Sequence, residues 1–353
     1  MQPKPFNAKL HLLALAAAIA TFPLIYLGGL VTSHHAGMSV PDWPNTWGYN
    51  MFTFPPSQWV GGIFYEHTHR LLAAFIGLLA IAMVIVACRT DRRRWVRYNA
   101  IAILLAVLVQ GTLGGLRVVL DELDLAIVHA CAAQIFFCYV ATFCVMTSRF
   151  WSDRAALDRR QCAAAGRIFP LAAATFAIIV AQLVIAAIMR HKNAGLAIPD
   201  FPASFGKILP PRVVDDAFRQ QAIHRYGVDL ELNRVTAFQI WIHFAHRIGA
   251  LLVSIAVVWL STSILRHLRP IQPLTRPAAA LLALLPIQLV LGMMTIWQRK
   301  PADVASLHVA VGSLILVTAV VIALRCYGLT RSARPANFSR QAHGPGAVEP
   351  ALS

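Results

Sequence analysis

The chain has 353 residues, of which 58% are hydrophobic and only 13% are charged. A soluble domain has about twice that share of charged residues, so the composition predicts an integral membrane protein. The formal net charge is +16, but the arginines cluster in short segments between apolar stretches. Topology and contact with anionic lipid explain them better than nucleic-acid binding.

Eight apolar stretches are each long enough, at about 20 residues, to cross the hydrocarbon core as an α-helix. These predicted spans are Leu10–Thr32, His67–Cys88, Tyr98–Leu116, Leu125–Thr147, Ile168–Met189, Phe238–Leu260, Leu274–Trp297 and Val304–Arg325. The first is too long for the apolar region of a signal peptide, so we expect an uncleaved helix. The predicted fold class is an all-α integral membrane protein with eight transmembrane helices.

The arginines also predict the orientation of the spans. They fall between spans 2 and 3 ("RTDRRRWVR"), between spans 4 and 5, after span 6 and around the end of span 8. These segments share one side of the membrane if the spans alternate, and short basic loops stay in the cytoplasm. Both termini are therefore expected to be cytoplasmic. The residues before span 1 lack the arginines of a mitochondrial presequence, which favours the cytoplasmic membrane of a bacterium.

The opposite, outer side then carries four segments. They are Ser33–Glu66, Arg117–Asp124, Arg190–Ala237 and Gln298–Asp303. We expect the third to fold over the outer surface, although its mixed composition predicts no particular fold.

The two halves of the sequence resemble each other. "AGMSVPDWPNTWG" at 36–48 matches "AGLAIPDFPASFG" at 194–206 at six of thirteen positions. "EHTHR" in span 2 corresponds to "HFAHR" in span 6, and spans 3 and 4 resemble spans 7 and 8. Four helices per unit predict parallel tandem repeats, each a four-helix bundle. The predicted parts are a bundle at 1–150, a cytoplasmic linker at 151–166, a bundle at 167–331 and a disordered tail at 332–353.

One histidine lies near the outer end of each even-numbered span. These are His69, His129, His246 and His308. Ionisable residues inside spans are uncommon and usually face a bundle interior with a partner. Two histidines on different helices of one bundle are able to ligate one iron from opposite sides, as in a bis-imidazole haem. A tetrahedral zinc site is less favoured, because two histidines per half leave its ligand set incomplete.

Charged neighbours of these histidines differ between the halves. Arg70 and Arg247 directly follow a histidine and are candidate partners for haem propionates, with snorkelling to the lipid headgroups as the alternative. Glu66 lies three residues before His69, whereas His243 occupies the equivalent position in the second half. We expect a chemical role for Glu66; an i, i+4 salt bridge to Arg70 is the alternative.

The other histidines and the cysteines predict no further site. Four histidines are expected to be solvated loop or helix-end residues, namely His34, His35, His67 and His191. The six cysteines show no CxxC pattern and neither large outer segment contains one. We therefore expect no disulfide, zinc or iron–sulfur site.

The two similar halves, the "ExxHR" and "HxxHR" motifs, the histidines of spans 4 and 8, and "SVPDWPNTWG" together resemble the haem A synthase family over nearly the whole chain. The resemblance implies oxidation of the C8 methyl group of haem O to a formyl group, by successive hydroxylations and loss of water, giving haem A for cytochrome c oxidase. It implies that His69 and His129 hold the substrate haem O, with Glu66 as a catalytic carboxylate. It also implies that His246 and His308 ligate a haem b cofactor.

The resemblance implies three partners: a haem O synthase that delivers the substrate, an unidentified electron-transfer partner and the lipid bilayer. Many bacterial members carry a cysteine pair in the first outer segment, whereas this chain has Val40 and Thr46 there. The source of electrons therefore stays open. Oxygen either binds after one histidine leaves the iron, or it comes from water.

Two other function classes also remain open. A dihaem b-type quinol or ferric oxidoreductase would use the same four histidines but would not need Glu66 in one half only. A transporter built from parallel repeats would need a site at the membrane midplane and broken helices. The polar residues here lie near the outer ends of the spans instead.

The doubled Pro-Asp-aromatic-Pro sequence follows spans 1 and 5, next to the layer of histidines. Each copy is expected to fold over the open end of its own bundle. Trp43 or Phe201 would then contact a porphyrin edge, with an aromatic anchor at the membrane interface as the alternative.

Overall fold

The structure is a computed structural model that describes residues 6–153, 158–227, 230 and 232–333. Within these residues the regular secondary structure is helical. The α-helices are α1 (Ala8–Ser33), α2 (Gly61–Thr90), α3 (Arg94–Val119), α4 (Leu123–Thr147), α5 (Arg149–Asp153), α6 (Arg159–His191), α7 (Asp216–Tyr226), α8 (Ala237–His267), α9 (Gln272–Trp297) and α10 (Ala302–Ala333). All except the short α5 and α7 are long and apolar enough to cross a membrane.

Each predicted span lies inside one of these eight long helices, so the all-α membrane fold is confirmed. The helices run beyond the predicted ends, most of all α6, which begins at Arg159 and not at Ile168. A span predicted from apolar residues ends at the first arginine. The helix itself continues into the headgroup region, where arginine side chains reach water. Nearly all of the tail expected at 332–353 lies outside the described residues.

The long helices pack into two groups of four. In the first group α1 and α3 each contact α2 and α4; in the second, α6 and α9 each contact α8 and α10. The groups meet where α1 contacts α10 and where α4 contacts both α6 and α10. The apolar core divides in the same way, with Met83 and Phe143 in one cluster and Leu260 and Leu281 in the other.

Large apolar side chains also cover the outside of both groups. Examples with exposed fractions between 57% and 63% are Leu78, Leu105, Leu251 and Trp259. An apolar surface of this extent would make a soluble protein aggregate. Together with the eight long helices, it indicates a multi-pass membrane protein whose outer surface contacts lipid tails.

The segment between α6 and α8 folds over one end of the second group. Ile198, Leu232 and Ile240 are buried there in a third apolar cluster. This end of the molecule, which carries residues 34–60 and 192–236, is called the outer end below, after the predicted topology.

Candidate functional site

The four predicted histidines lie in one layer near the outer end. Their helices α2, α4, α8 and α10 begin at Gly61, Leu123, Ala237 and Ala302. At 1.5 Å per residue, the histidines lie about 9 to 14 Å from these starts. All four imidazoles are half-buried, so they are inside the helix groups but not sealed by protein atoms.

The second group holds His246 and His308 opposite each other. Their ring centroids are 6.4 Å apart and their planes are inclined by 69°. A metal–nitrogen bond of about 2 Å, with about 1 Å more to the ring centre, would put the centroids of two axial imidazoles about 6 Å apart. The spacing therefore fits one iron between the rings.

The first group brings His69 and His129 within electrostatic range of each other. The imidazole of His69 lies directly against α1, because a Cβ atom at Gly28 would be only 3.1 Å from its Cε1. Both histidines that the sequence predicted in this half thus lie close enough for their charges to interact, and their joint ligation of one iron stays a prediction.

Two further imidazoles lie equally close to a glycine. A Cβ atom at Gly114 would be 3.0 Å from Cε1 of His129, and one at Gly292 would be 3.1 Å from Cε1 of His308. These distances are tighter than ordinary van der Waals contact. The two glycines therefore let the rings approach the surface of α3 and α9.

Glutamine side chains contact three of the four imidazoles. Nε2 of Gln110 lies 3.2 Å from Nδ1 of His129 and donates to the His129 carbonyl at 2.8 Å. Gln182 contacts His246 in the same way, at 2.9 and 2.8 Å, and Gln288 approaches the other ring of that pair at 3.4 Å. These contacts restrict the orientation of the imidazole rings. Comparison of the two halves did not identify Gln182, because the equivalent residue in the first half is Leu24.

Glu66 is buried beside the first histidine pair. Its Oε1 accepts a hydrogen bond from Arg70 at 2.7 Å, and its Oε2 accepts one from the backbone N–H of Val40 at 2.9 Å. In the second half Nδ1 of His243 accepts from the backbone N–H of Ile198 at 3.2 Å. The residue three positions before the histidine therefore holds the same loop backbone in both halves, with a carboxylate in one and an imidazole in the other.

Two loops cover the outer end, and we call residues 36–48 the N-lid and residues 194–206 the C-lid. Arginine side chains clamp both lids. Arg70 donates to the carbonyls of Val40, Asp42 and Asn45, and Arg247 donates to those of Ile198, Asp200 and Ala203. The acceptors are equivalent residues in the two lids. Pairing of these arginines with haem propionates stays a prediction.

In each lid an aspartate carboxylate accepts hydrogen bonds from backbone N–H groups of the same lid. The Asp42 carboxylate accepts from the backbone N–H groups of Trp47 and Gly48 at 2.8 and 2.7 Å. Asp200 accepts from the two equivalent N–H groups at 2.8 and 2.6 Å. Burial raises the pKa of Asp42, but the hydrogen bonds from Gly48 and Trp47 outweigh it and hold the pKa below its ordinary value.

Each lid reaches the third helix of its own group. The Trp43 ring lies against Gly115 of α3. Phe201 meets Trp297 at the end of α9 with ring centroids 6.4 Å apart, and the Arg247 guanidinium lies 5.5 Å above the Phe201 ring. Contact of either aromatic ring with a porphyrin stays a prediction.

Two histidines predicted to be solvated are buried, so that prediction is wrong for them. His67 is fully buried: its Nδ1 lies 3.2 Å from Oγ1 of Thr46, and its ring packs against Trp59. His191 is 9% exposed at the end of α6. The outer loops fold back over these helix ends, which helical periodicity does not reveal. The remaining two, His34 and His35, are exposed as predicted.

The histidine pairs are the candidate metal ligands. Across the described parts of the chain, no group of three or more His, Cys, Asp and Glu side chains is placed to hold one metal ion. The six cysteines are all free thiols.

The fold and the site define a multi-pass membrane protein with a histidine pair near the outer end of each of two helix groups. A sequence profile of the COX15-CtaA family, described as cytochrome oxidase assembly protein, matches residues 11–320. The chain belongs to this family.

Similar proteins from three bacteria are each named heme A synthase. The one from Shewanella oneidensis is 22% identical over 326 residues, covering 86% of this chain and 92% of that protein. Those from Agrobacterium fabrum and Symbiobacterium thermophilum are both 27% identical, covering 71% and 80% of this chain and 66% and 84% of those proteins. These comparisons do not favour the dihaem oxidoreductase or the transporter.

Proposed function

We propose that the chain is a haem A synthase, an oxidoreductase that converts the C8 methyl group of haem O to the formyl group of haem A. The family match and the names of the relatives support this proposal. The observation that carries it is the histidine pair in each helix group, with a carboxylate beside only the first. That arrangement supports two haem sites with different tasks.

The second group would hold haem b as a resident cofactor, and His246 and His308 are the residues that would bind its iron. The 6.4 Å spacing of their rings fits this role. When bound, haem b supplies one-electron transfer. The chain contributes the orientation of the rings, through Gln182 and the close approach of Gly292.

The first group would hold the substrate haem O between His69 and His129. Glu66 is the proposed catalytic carboxylate. In the closed lid both of its oxygens are occupied, Oε1 by Arg70 and Oε2 by the N–H of Val40. Release of the lid backbone would free Oε2 to hold or pass on one proton during the reaction. The salt bridge to Arg70 holds the carboxylate in place.

We further propose the topology and the partners. The two helix groups are parallel tandem repeats, with bundles at 1–150 and 167–331. Both termini are cytoplasmic, and the membrane is the cytoplasmic membrane of a bacterium. The recurrence of the same lid contacts in the two halves supports the repeats, and the arginine-rich loops support the orientation. A haem O synthase would deliver the substrate, and a separate electron-transfer partner would complete the redox cycle.

The test is to produce the full chain in a bacterial host that makes haem O but no haem A, and to identify the extracted haems by mass. We expect the formyl product to appear with the wild-type chain. Haem O that stays unchanged, although the chain is abundant in the membrane and loaded with haem, would overturn the proposal.

Glu66→Gln locates the chemistry, because glutamine keeps an acceptor for the N–H of Val40 but loses the charge. We expect it to abolish the formyl product while haem b is retained. His243→Gln is the matched control at the equivalent lid contact, and it should still form product. Full activity of Glu66→Gln would remove Glu66 from the proposed chemistry.

A further inference from the structure

A cavity opens at the outer end, between the two helix groups. It has a volume of about 230 Å³ and is lined by the ends of α1, α3, α4 and α6 and by the turn before α10. We call it the inter-group cleft. It contains Arg117, Arg190 and Lys300, so three different elements each contribute a cation to one small space.

The Arg117 guanidinium has no hydrogen bond and no ion pair within the described residues, although it is half-buried. It lies against Gly37, where any side chain would collide with it. The N-lid thus leaves room for this guanidinium at the wall of the cleft without binding it.

Arg190 and Lys300 are also incompletely paired. One Nη of Arg190 donates to the carbonyl of Gly29 and to Oγ of Ser33, both at 2.7 Å; the other guanidinium nitrogens have no hydrogen bond among the described residues. The Lys300 ammonium group has neither a hydrogen bond nor an ion pair among the described residues. Burial, and then the positive charge of Arg190, lower the pKa of Lys300.

Nearby carboxylates offset the charge of the cluster only in part, because Glu66 and Asp121 attract Arg117 electrostatically without forming an ion pair with it. Asp121 and Glu122 line the rim but are exposed, and no described carboxylate lies within ion-pairing distance of the three cations. Three half-buried cations that form no ion pair among the described residues are costly. An anion in the cleft would offset that cost, because guanidinium groups bind carboxylate and phosphate oxygens through paired hydrogen bonds.

We propose that the inter-group cleft binds an oxyanion, a carboxylate or phosphate group carried by an amphiphile. Its volume suits a headgroup or an acid side chain, since sites for whole drug-sized ligands are about 300–1,000 Å³. Apolar Val31 and Ala126 also line the cleft. They would contact the apolar part of a ligand whose anionic group binds the three cations. Two sources carry this chemistry: an anionic phospholipid, and the carboxylate side chains of a haem. Only the haem source rests on the proposed function.

The test compares the wild-type full chain with a double variant, Arg117→Gln with Lys300→Gln. The first arm measures how much phosphatidylglycerol, relative to phosphatidylcholine, is retained by protein purified from mixed vesicles. The second arm measures the affinity for haem and for haem dimethyl ester, which lacks the free carboxylates. Arg212→Gln, at an exposed position of the outer segment between α6 and α8, is the matched control.

We expect the double variant to lose about tenfold in one arm while the control loses nothing. Loss of phosphatidylglycerol enrichment assigns the site to a phospholipid. Loss of haem affinity, with the affinity for the dimethyl ester unchanged, assigns it to haem carboxylates. The charge-preserving pair Arg117→Lys with Lys300→Arg should restore most of the binding. Wild-type behaviour of a folded double variant in both arms overturns the proposal. The phospholipid arm does not depend on haem A synthesis, so it stays informative if the proposed function fails.

Discussion

Replacing Arg247 by lysine should loosen the C-lid. The guanidinium donates to three lid carbonyls, at 2.7, 3.1 and 2.7 Å. A lysine ammonium keeps the charge, but it is a compact point donor that does not reproduce the planar fork of arginine. At least one of the three contacts is therefore lost.

The size of the effect follows from these contacts. A hydrogen bond to a charged group contributes about 1.5–3 kcal/mol. Loss of one would lower the free energy of lid opening by that amount, and a factor of ten corresponds to about 1.4 kcal/mol. Amide hydrogen exchange in the lid should then become about 10- to 100-fold faster.

The assay is hydrogen exchange followed by mass spectrometry of a peptide that covers residues 198–207. The closed lid protects several amides in this peptide: those of Ile198, Ser204, Phe205, Gly206 and Lys207 all donate hydrogen bonds. Arg212→Lys, at an exposed position of the same outer segment, is the control and should leave the rate unchanged. Wild-type exchange of this peptide in Arg247→Lys would refute the clamp.

Three further predictions concern the haem sites and the N-lid. Gly292→Ala should weaken haem retention in the second group by about 1–3 kcal/mol, because the new methyl group pushes the adjacent imidazole off its position. Gly77→Ala is the control, since its methyl group meets open space. Equal haem content in the two variants would contradict the prediction. Gln182→Leu should lower haem affinity in the same group about 10- to 100-fold and shift the haem spectrum, because His246 loses the amide that orients it; an unchanged spectrum and affinity would count against that role. The pKa of Asp42 is lower in the folded protein than its ordinary 3.8, so its contribution to lid stability is present above that value and lost as the pH falls through the folded pKa. Thermal unfolding should show this acid loss in wild type but not in Asp42→Asn, and identical acid profiles would contradict it.

The eight membrane helices could be predicted from the sequence because burial in lipid imposes one requirement on each of them, a long apolar run. The histidine pairs could be predicted because His69 and His246, and likewise His129 and His308, occupy matching positions in the two halves. The ends of the helices could not be predicted, since an arginine near a helix end interrupts the apolar run but does not end the helix.

The contacts that shape the site depend on residues distant in sequence. The side chains of Arg70 and Arg247 bind backbone carbonyls of the lids. Every residue has a backbone carbonyl, so the sequence does not indicate which ones an arginine binds. The position of His67 in the sequence indicates a solvated helix end, whereas in the fold Thr46 of the N-lid lies against its ring. The inter-group cleft combines Arg117 with Lys300 from the other half of the chain, and such a combination is visible only after the two groups are packed together.

The central claim is that the four histidines form two haem sites with different tasks. Identification of the haems retained by purified His129→Ala and His308→Ala, produced in a host that makes haem O, tests it most directly. The account predicts that His308→Ala loses haem b and keeps haem O, and that His129→Ala loses haem O and its products while keeping haem b. Loss of the same haem from both variants, or full retention of both haems in each, would contradict it.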